Sequence, residues 1–198
     1  MTTLILVRHG ETDWNAARRI QGSTDIPLNA NGRAQARDAA AALRVLVGES
    51  AAMLVASDLS RAAETARIIG EELGLGEPVS YAGLRERHYG TAEGLTDTEY
   101  IARFGSWDRD EMAGAEPRPQ LRRRALAAVR TVVADARRRH APADVPVIAV
   151  SHGALIGELI RHASGDSLPL PGTRMANGSA HTFQVSRDHL RLLEVTRV

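Results

Sequence analysis

Apolar positions along the chain fall into two kinds of run. Leu4 to Val7, Met53 to Ala56 and Val145 to Val150 are short and nearly continuous, the pattern of strands buried on both faces of a sheet. Elsewhere the spacing lengthens to three and four. Ala36, Ala40, Leu43 and Val47 make one face of a helix that Asn29 or Asn31 caps, and a second helix runs from about Leu59 to Leu73 behind Ser57-Asp58. Leu121, Ala125, Ala128, Val132 and Ala136 mark a long helix from Gln120 to about His140, and a shorter one follows from about Ala154 to Ala163. Ser179 to Val185 and Leu190 to Val195 read as a closing hairpin with Asp188 in its turn. The middle is less regular: Val79 to Leu84 reads as a strand, Thr96 to Phe104 as a short helix, and Gly105 to Pro119 as a loop carrying Trp107 and Pro117. Gly10 to about Leu28 reads as a long polar loop, and an ordered loop of that length is usually functional.

Strands alternating with helices predict an α/β protein, a three-layer α/β/α sandwich whose mostly parallel central sheet carries helices on both faces. With 198 residues and no repeat, low-complexity stretch or linker, residues 1–198 read as a single domain. A chain of this size buries roughly 70% of its unfolded surface and needs no covalent staples.

Composition removes several function classes. There is no cysteine, which excludes disulfides, thiolate metal sites and a cysteine nucleophile together. The net charge is +1, from 25 basic and 24 acidic residues, so no global field draws in nucleic acid, and the 4% aromatic content offers no stacking surface. The arginines of the long helix, Arg122, Arg123, Arg130, Arg137 and Arg138, read as a solvated face. Arg8 interrupts the first apolar run too early for a secretory signal. The longest weakly charged stretch, Val145 to Gly157, falls short of a membrane span of about 20 residues. A cytoplasmic protein with no membrane or nucleic-acid partner is the expectation.

Chemistry concentrates where strands stop. Arg8-His9-Gly10 ends the first apolar run and Ser151-His152-Gly153 ends the third, while Arg61 follows the second in SDLSRAAETA. In open α/β sheets ligands bind beyond the carboxyl ends of the strands, so three separate segments bring two guanidiniums and two imidazoles to one rim. Guanidinium forks fit phosphate oxygens, and helix amino termini near Arg61 and after Gly153 add N–H donors, so the natural guest is a phosphoryl group. Other chemistries fit less well. No G-x-S-x-G elbow surrounds Ser151, and no H-E-x-x-H pair offers zinc ligands at helical spacing. His88, His140, His162, His181 and His189 read as surface or packing residues.

LVRHGETDWN, QGSTDIPLN, SDLSRAAETA, LRERHYGTAEGLT and VSHGAL, in that order, resemble the signature of the histidine phosphatase superfamily, the phosphoglycerate mutase-like family. The resemblance covers nearly the whole chain and implies a role for each matching residue. His9 becomes the nucleophile that carries the phosphoryl group, Arg8, Arg61 and His152 clamp it, and His152 also stabilises the transition state. Glu86 becomes the proton donor to the leaving oxygen and then the base that activates water. Asn15, Gln21, Gly22, Tyr89 and Gly153 fall on the substrate-binding side. No metal or cofactor is implied.

Within that family, LRERHYG resembles the mutases, which transfer phosphoryl groups between hydroxyls of phosphoglycerate primed by 2,3-bisphosphoglycerate. The mutases carry a lysine shortly afterwards, where this chain has Thr96-Asp97-Thr98, and an arginine pair in a longer inserted loop that Arg122 to Arg124 do not match. The segment around Glu116 to Gln120 also departs from the Gly-Glu-Ser pattern of both branches. The reading is therefore a metal-independent phosphomonoesterase acting on small phosphorylated metabolites, with the mutase as alternative. A phosphate-binding module without catalysis is a third reading. A homodimer is compatible with all three.

Overall fold

A computed structural model of the chain describes residues 1–48, 51–105, 112–170, 173–187 and 189–196. Trp107, in the expected loop from Gly105 to Pro119, and Asp188, in the expected hairpin turn, lie outside the described residues.

The first strand, β1 (Thr2–Arg8), is followed by a short helix α1 (Asp13–Ala16) and a long one, α2 (Ala30–Val47). Next come β2 (Met53–Ala56), α3 (Ser60–Leu73), the two-residue β3 (Val79–Ser80) and α4 (Asp97–Phe104). The remainder is α5 (Arg118–His140), β4 (Val147–Ser151), α6 (Gly153–Ala163), β5 (Ala180–Val185) and β6 (Leu190–Thr196). Six strands form one sheet in the order β3-β2-β4-β1-β5-β6. The pairs β3–β2, β2–β4 and β4–β1 are parallel, while β5 and β6 add an antiparallel edge.

Side-chain alternation divides the core between the two faces. Leu4, Leu6, Val147, Ala149 and Phe183 pack with Leu121, Ala125, Val129, Val132, Leu155 and Leu159 of α5 and α6. Ile5, Val7, Ile148 and Val150 pack on the other face with Ala39, Ala40, Leu43, Ala62, Ala66 and Ile69 of α2 and α3. Both faces of β1 and β4 are thus covered, which is why those strands read as unbroken apolar runs.

The two central strands also place the chemistry. Arg8 and Ser151 are register partners at the carboxyl ends of β1 and β4, and the His9 N–H donates to Ser151 O at 3.0 Å. From β1 the chain leaves toward the α2/α3 face and from β4 toward α6. This is the switch point beside which open α/β sheets bind ligands. Gly10 and Gly32 allow the amino end of α2 to lie directly on this loop. A Cβ at Gly10 would stand 2.2 Å from Gly32 O, and one at Gly32 2.1 Å from Glu11 O.

Four expectations need correction. The Gly10 to Leu28 loop contains α1, where Thr12 caps and Asn15 reciprocates at 3.2 Å in a capping box. Val79 to Leu84 is strand only through Ser80. Ala82–Leu84 turns instead as a 3-10 helix, because Leu84 buries under α5 and its carbonyl accepts the Ser151 hydroxyl at 2.8 Å. The helix expected from Gln120 begins at Arg118 with Pro119 in its first turn, where a missing N–H costs nothing. The arginine face of α5 is not uniformly solvated. Arg122 Nε pairs with the buried Glu158 at 2.6 Å, joining α5 to α6, and Arg137 Nε donates to Thr2 Oγ1 at 3.0 Å.

Candidate active site

Beyond the carboxyl ends of β1, β4 and β2 lies a cavity of about 1070 Å³. Arg8, His9, Asn15, Gln21, Gly22, Arg61, Glu86, Tyr89 and Gly153 all line it. Those nine come from seven separate stretches of sequence. His152, the tenth residue expected here, is fully buried behind the wall rather than on it. Its ring centroid lies 5.1 Å from that of His9, a consequence of the β1–β4 register.

The tautomer of His9 follows from its one side-chain partner. Nδ1 lies 2.7 Å from Gly10 O, and a carbonyl only accepts, so Nδ1 carries the proton and Nε2 presents a lone pair. Burial, reinforced by the charges of Arg8 and Arg61, holds the pKa of His9 well below its ordinary value of 6.5. The imidazole is therefore neutral and nucleophilic at physiological pH. His152 is held neutral in the same way, by burial and then by His9, Arg61 and Arg8, and neither of its ring nitrogens has a hydrogen-bond partner among the described residues.

The two guanidiniums are anchored to backbone carbonyls. Arg61, fully buried in the first turn of α3, donates through Nη1 to Thr24 O at 2.9 Å and through Nη2 to Gly22 O at 2.8 Å. Arg8 donates through Nη1 to Met175 O. Nε of each is buried without a partner. Both cations line the cavity, and two guanidiniums at one wall suit an anion.

Glu86 stands opposite. Its carboxylate accepts from the backbone N–H groups of Arg87 at 2.8 Å, Ala154 at 3.0 Å and Leu155 at 3.2 Å. The latter two belong to the first turn of α6, whose cap residue His152 supplies no side-chain cap, so Glu86 takes the place of one. Ser151, by contrast, donates its hydroxyl to Leu84 O at 2.8 Å and is not paired with His152. The serine-hydrolase arrangement is absent.

Three further residues shape the site without having stood out in the sequence. Asn177 Nδ2 donates to His9 O at 2.9 Å and to Asn15 Oδ1 at 3.2 Å, locking the His9 backbone to α1. It sits in an irregular segment with no period to flag it. Glu93 accepts from the N–H groups of Ser23 at 2.9 Å, Thr24 at 3.0 Å and Tyr89 at 3.0 Å, fixing the loop whose carbonyls hold Arg61. Gly22 has a φ of +57°, where any side chain is strained, and a Cβ there would stand 2.0 Å from Glu93 Oε1 and displace it. His181 lines the cavity as a buried neutral base, its Nε2 3.1 Å from Ser179 Oγ and its pKa pushed down by burial to about 4. Among the described residues no three His, Asp or Glu side chains cluster to hold a metal ion, and no helix is long and apolar enough to cross a membrane.

Three buried neutral imidazoles make stability depend on pH. The folded pKa values of His9, His152 and His181 are depressed, so below pH ~6.5 the unfolded chain binds protons that the folded one refuses. Stability is full above that pH and is lost as pH falls toward the folded values. His181 alone accounts for on the order of 2 kcal/mol by pH 5. Urea unfolding midpoints should decline steadily from pH 7 to pH 5; a flat profile would mean that these rings are protonated in the folded protein.

Comparison with known proteins agrees with this geometry. The family model described as the histidine phosphatase superfamily (branch 1) matches residues 4–197. The uncharacterized phosphatase PhoE of Bacillus subtilis (strain 168) is 35% identical over 192 residues, 97% of this chain and 93% of its own length. The probable phosphoglycerate mutase GpmB of Enterobacter sp. (strain 638) is 37% identical over 169 residues, 81% of this chain and 74% of its own. Among solved structures, a mycobacterial glucosyl-3-phosphoglycerate phosphatase in complex with VO3 superposes with a TM-score of 0.80 at 31% identity, covering 98% of this chain and 97% of that one.

Proposed function

The chain belongs to the histidine phosphatase superfamily and is a phosphatase, and on that premise we propose that it hydrolyses small phosphorylated metabolites through a phosphohistidine at His9, without a metal ion. The observation that carries this reading is a fixed Nε2 lone pair on His9 in a cavity that Arg8 and Arg61 also line. A phosphoryl group meets the lone pair and the two cations at once.

In the first step Nε2 of His9 attacks phosphorus, the ester P–O bond breaks, and Glu86 protonates the departing alkoxide. In the second, Glu86 takes a proton from water as the water oxygen attacks phosphorus. The N–P bond breaks and inorganic phosphate leaves. Arg8 and Arg61 stabilise the equatorial oxygens in both displacements, and His152, packed against the His9 ring, supports the charge that develops there.

Hydrolysis rather than transfer is favoured by the wall beyond the phosphoryl corner. Asp97, in the stretch where the mutases carry a lysine, lines the cavity and pairs with Arg174 at 2.8 Å. At that position a lone cation is thereby replaced by a neutral ion pair. Incubation with 3-phosphoglycerate and traces of 2,3-bisphosphoglycerate should release inorganic phosphate faster than 2-phosphoglycerate forms. Rapid isomerisation without release would establish the mutase instead, and the absence of either reaction on a panel of phosphomonoesters would leave a phosphate-binding module.

A further inference from the structure

Glu86 sits in a segment, Arg85 to Tyr89, that belongs to no helix or strand. Its far end is held by the Tyr89–Ala115 bridge, and around Glu86 itself a side chain from α5 holds the backbone. Arg124 donates through Nη1 to Gly83 O at 3.0 Å and to Arg85 O at 2.8 Å, and through Nη2 to Glu86 O at 3.3 Å. Its remaining donors, on Nε and Nη2, engage the two oxygens of Glu116 at 2.9 and 2.7 Å. A guanidinium has five N–H groups, and each here has an acceptor.

That saturation separates Arg124 from Arg8 and Arg61, whose Nε atoms lack partners. Arg124 is also absent from the cavity wall. It has nothing left to offer a substrate: three donors are directed at the turn that carries Glu86 and two at Glu116. Glu116 closes the same turn from outside: its N–H donates to His88 O at 2.8 Å, and its carbonyl accepts from Arg87 Nε at 2.7 Å. The carboxylate of Glu86 is thus set by α6 and its backbone by α5.

We propose that Arg124, held bidentately by Glu116, is the positioning residue for the proton donor: it holds the Glu86 backbone so that the carboxylate stays on the α6 terminus facing the leaving oxygen. This rests on the assignment of Glu86 as the donor. A donor displaced by even an ångström loses much of its effect, but only where the leaving group needs a proton.

The test compares kcat/KM, which reports the first displacement, for an alkyl ester such as glycerol phosphate and for p-nitrophenyl phosphate, whose phenolate leaves unaided. Arg124→Gln should lower kcat/KM on the alkyl ester on the order of thirtyfold and on the aryl ester less than about threefold. Glu116→Gln should show the same selectivity more weakly and serves if Arg124→Gln does not fold. In a Glu86→Gln background, Arg124→Gln should cost the alkyl ester almost nothing further. Equal losses on both esters, or losses that multiply with Glu86→Gln, would overturn the positioning role while leaving Glu86 as donor. If Glu86→Gln itself shows no preference between the esters, the donor assignment fails, and the positioning role with it.

Discussion

Replacing His9 by alanine should abolish turnover: kcat/KM on every phosphomonoester should fall by at least about four orders of magnitude, and no acid-labile phosphoryl label should form on the protein. The magnitude reflects what is lost. Uncatalysed hydrolysis of phosphate monoesters is among the slowest reactions known, and the covalent route divides it into two displacements. Without Nε2 there is no first displacement. The phosphoryl corner survives, because Arg61 remains anchored to Gly22 O and Thr24 O and Arg8 to Met175 O. Inorganic phosphate should accordingly bind His9→Ala within about tenfold of the parent affinity, since anion binding rests on the guanidiniums. Measurable turnover in this variant, or a label retained on it, would place the nucleophile elsewhere.

Arg61→Lys should lower kcat/KM by about two to three orders of magnitude, although it conserves charge. The planar fork does two jobs at fixed angles: Nη1 and Nη2 each give one N–H to a carbonyl, and each keeps a second N–H for the anion. An ammonium group at the end of a flexible stem cannot reach Gly22 O, Thr24 O and a phosphoryl oxygen together. One carbonyl is left buried and unpaired, or the phosphoryl group loses a donor. Phosphate affinity should weaken in step with kcat/KM, and the melting temperature should fall by a few degrees from the unpaired carbonyl. Parent-like activity in Arg61→Lys would mean that charge alone suffices and that the oriented fork is not part of the clamp.

What the sequence made legible was set by how local each cause is. β1 and β4 are covered on both faces, so their apolar runs are unambiguous and their ends point to His9 and His152 without any coordinates. Arg61 follows from the same logic one strand over. α1 escaped notice because its reciprocal cap is Asn15, where the familiar signature carries Glu or Gln. Tyr81-Ala82-Gly83-Leu84 is apolar enough for a strand or a buried turn, and only its packing under α5 decides. The arginines of α5 look alike on a helical wheel. Whether one faces solvent, ties Glu158 or saturates itself on the Glu86 turn depends on partners tens of residues away. Asn177 and Glu93 were invisible for the same reason, since their roles lie in loops that only the folded sheet brings together.

The pairing of β1 with β4 also bears on how activity arises as the chain folds. α2, α3, α5 and α6 close over short sequence distances, but Asn177 and His9 meet across 168 positions and Glu86 reaches α6 across 68. Contacts that close such long loops form late and slowly, because their entropy must be met before they return any stabilisation. Helical content should therefore recover well ahead of catalysis during refolding. A partly folded chain, helices in place and β1 not yet inserted beside β4, holds every residue of the active site and none of its chemistry.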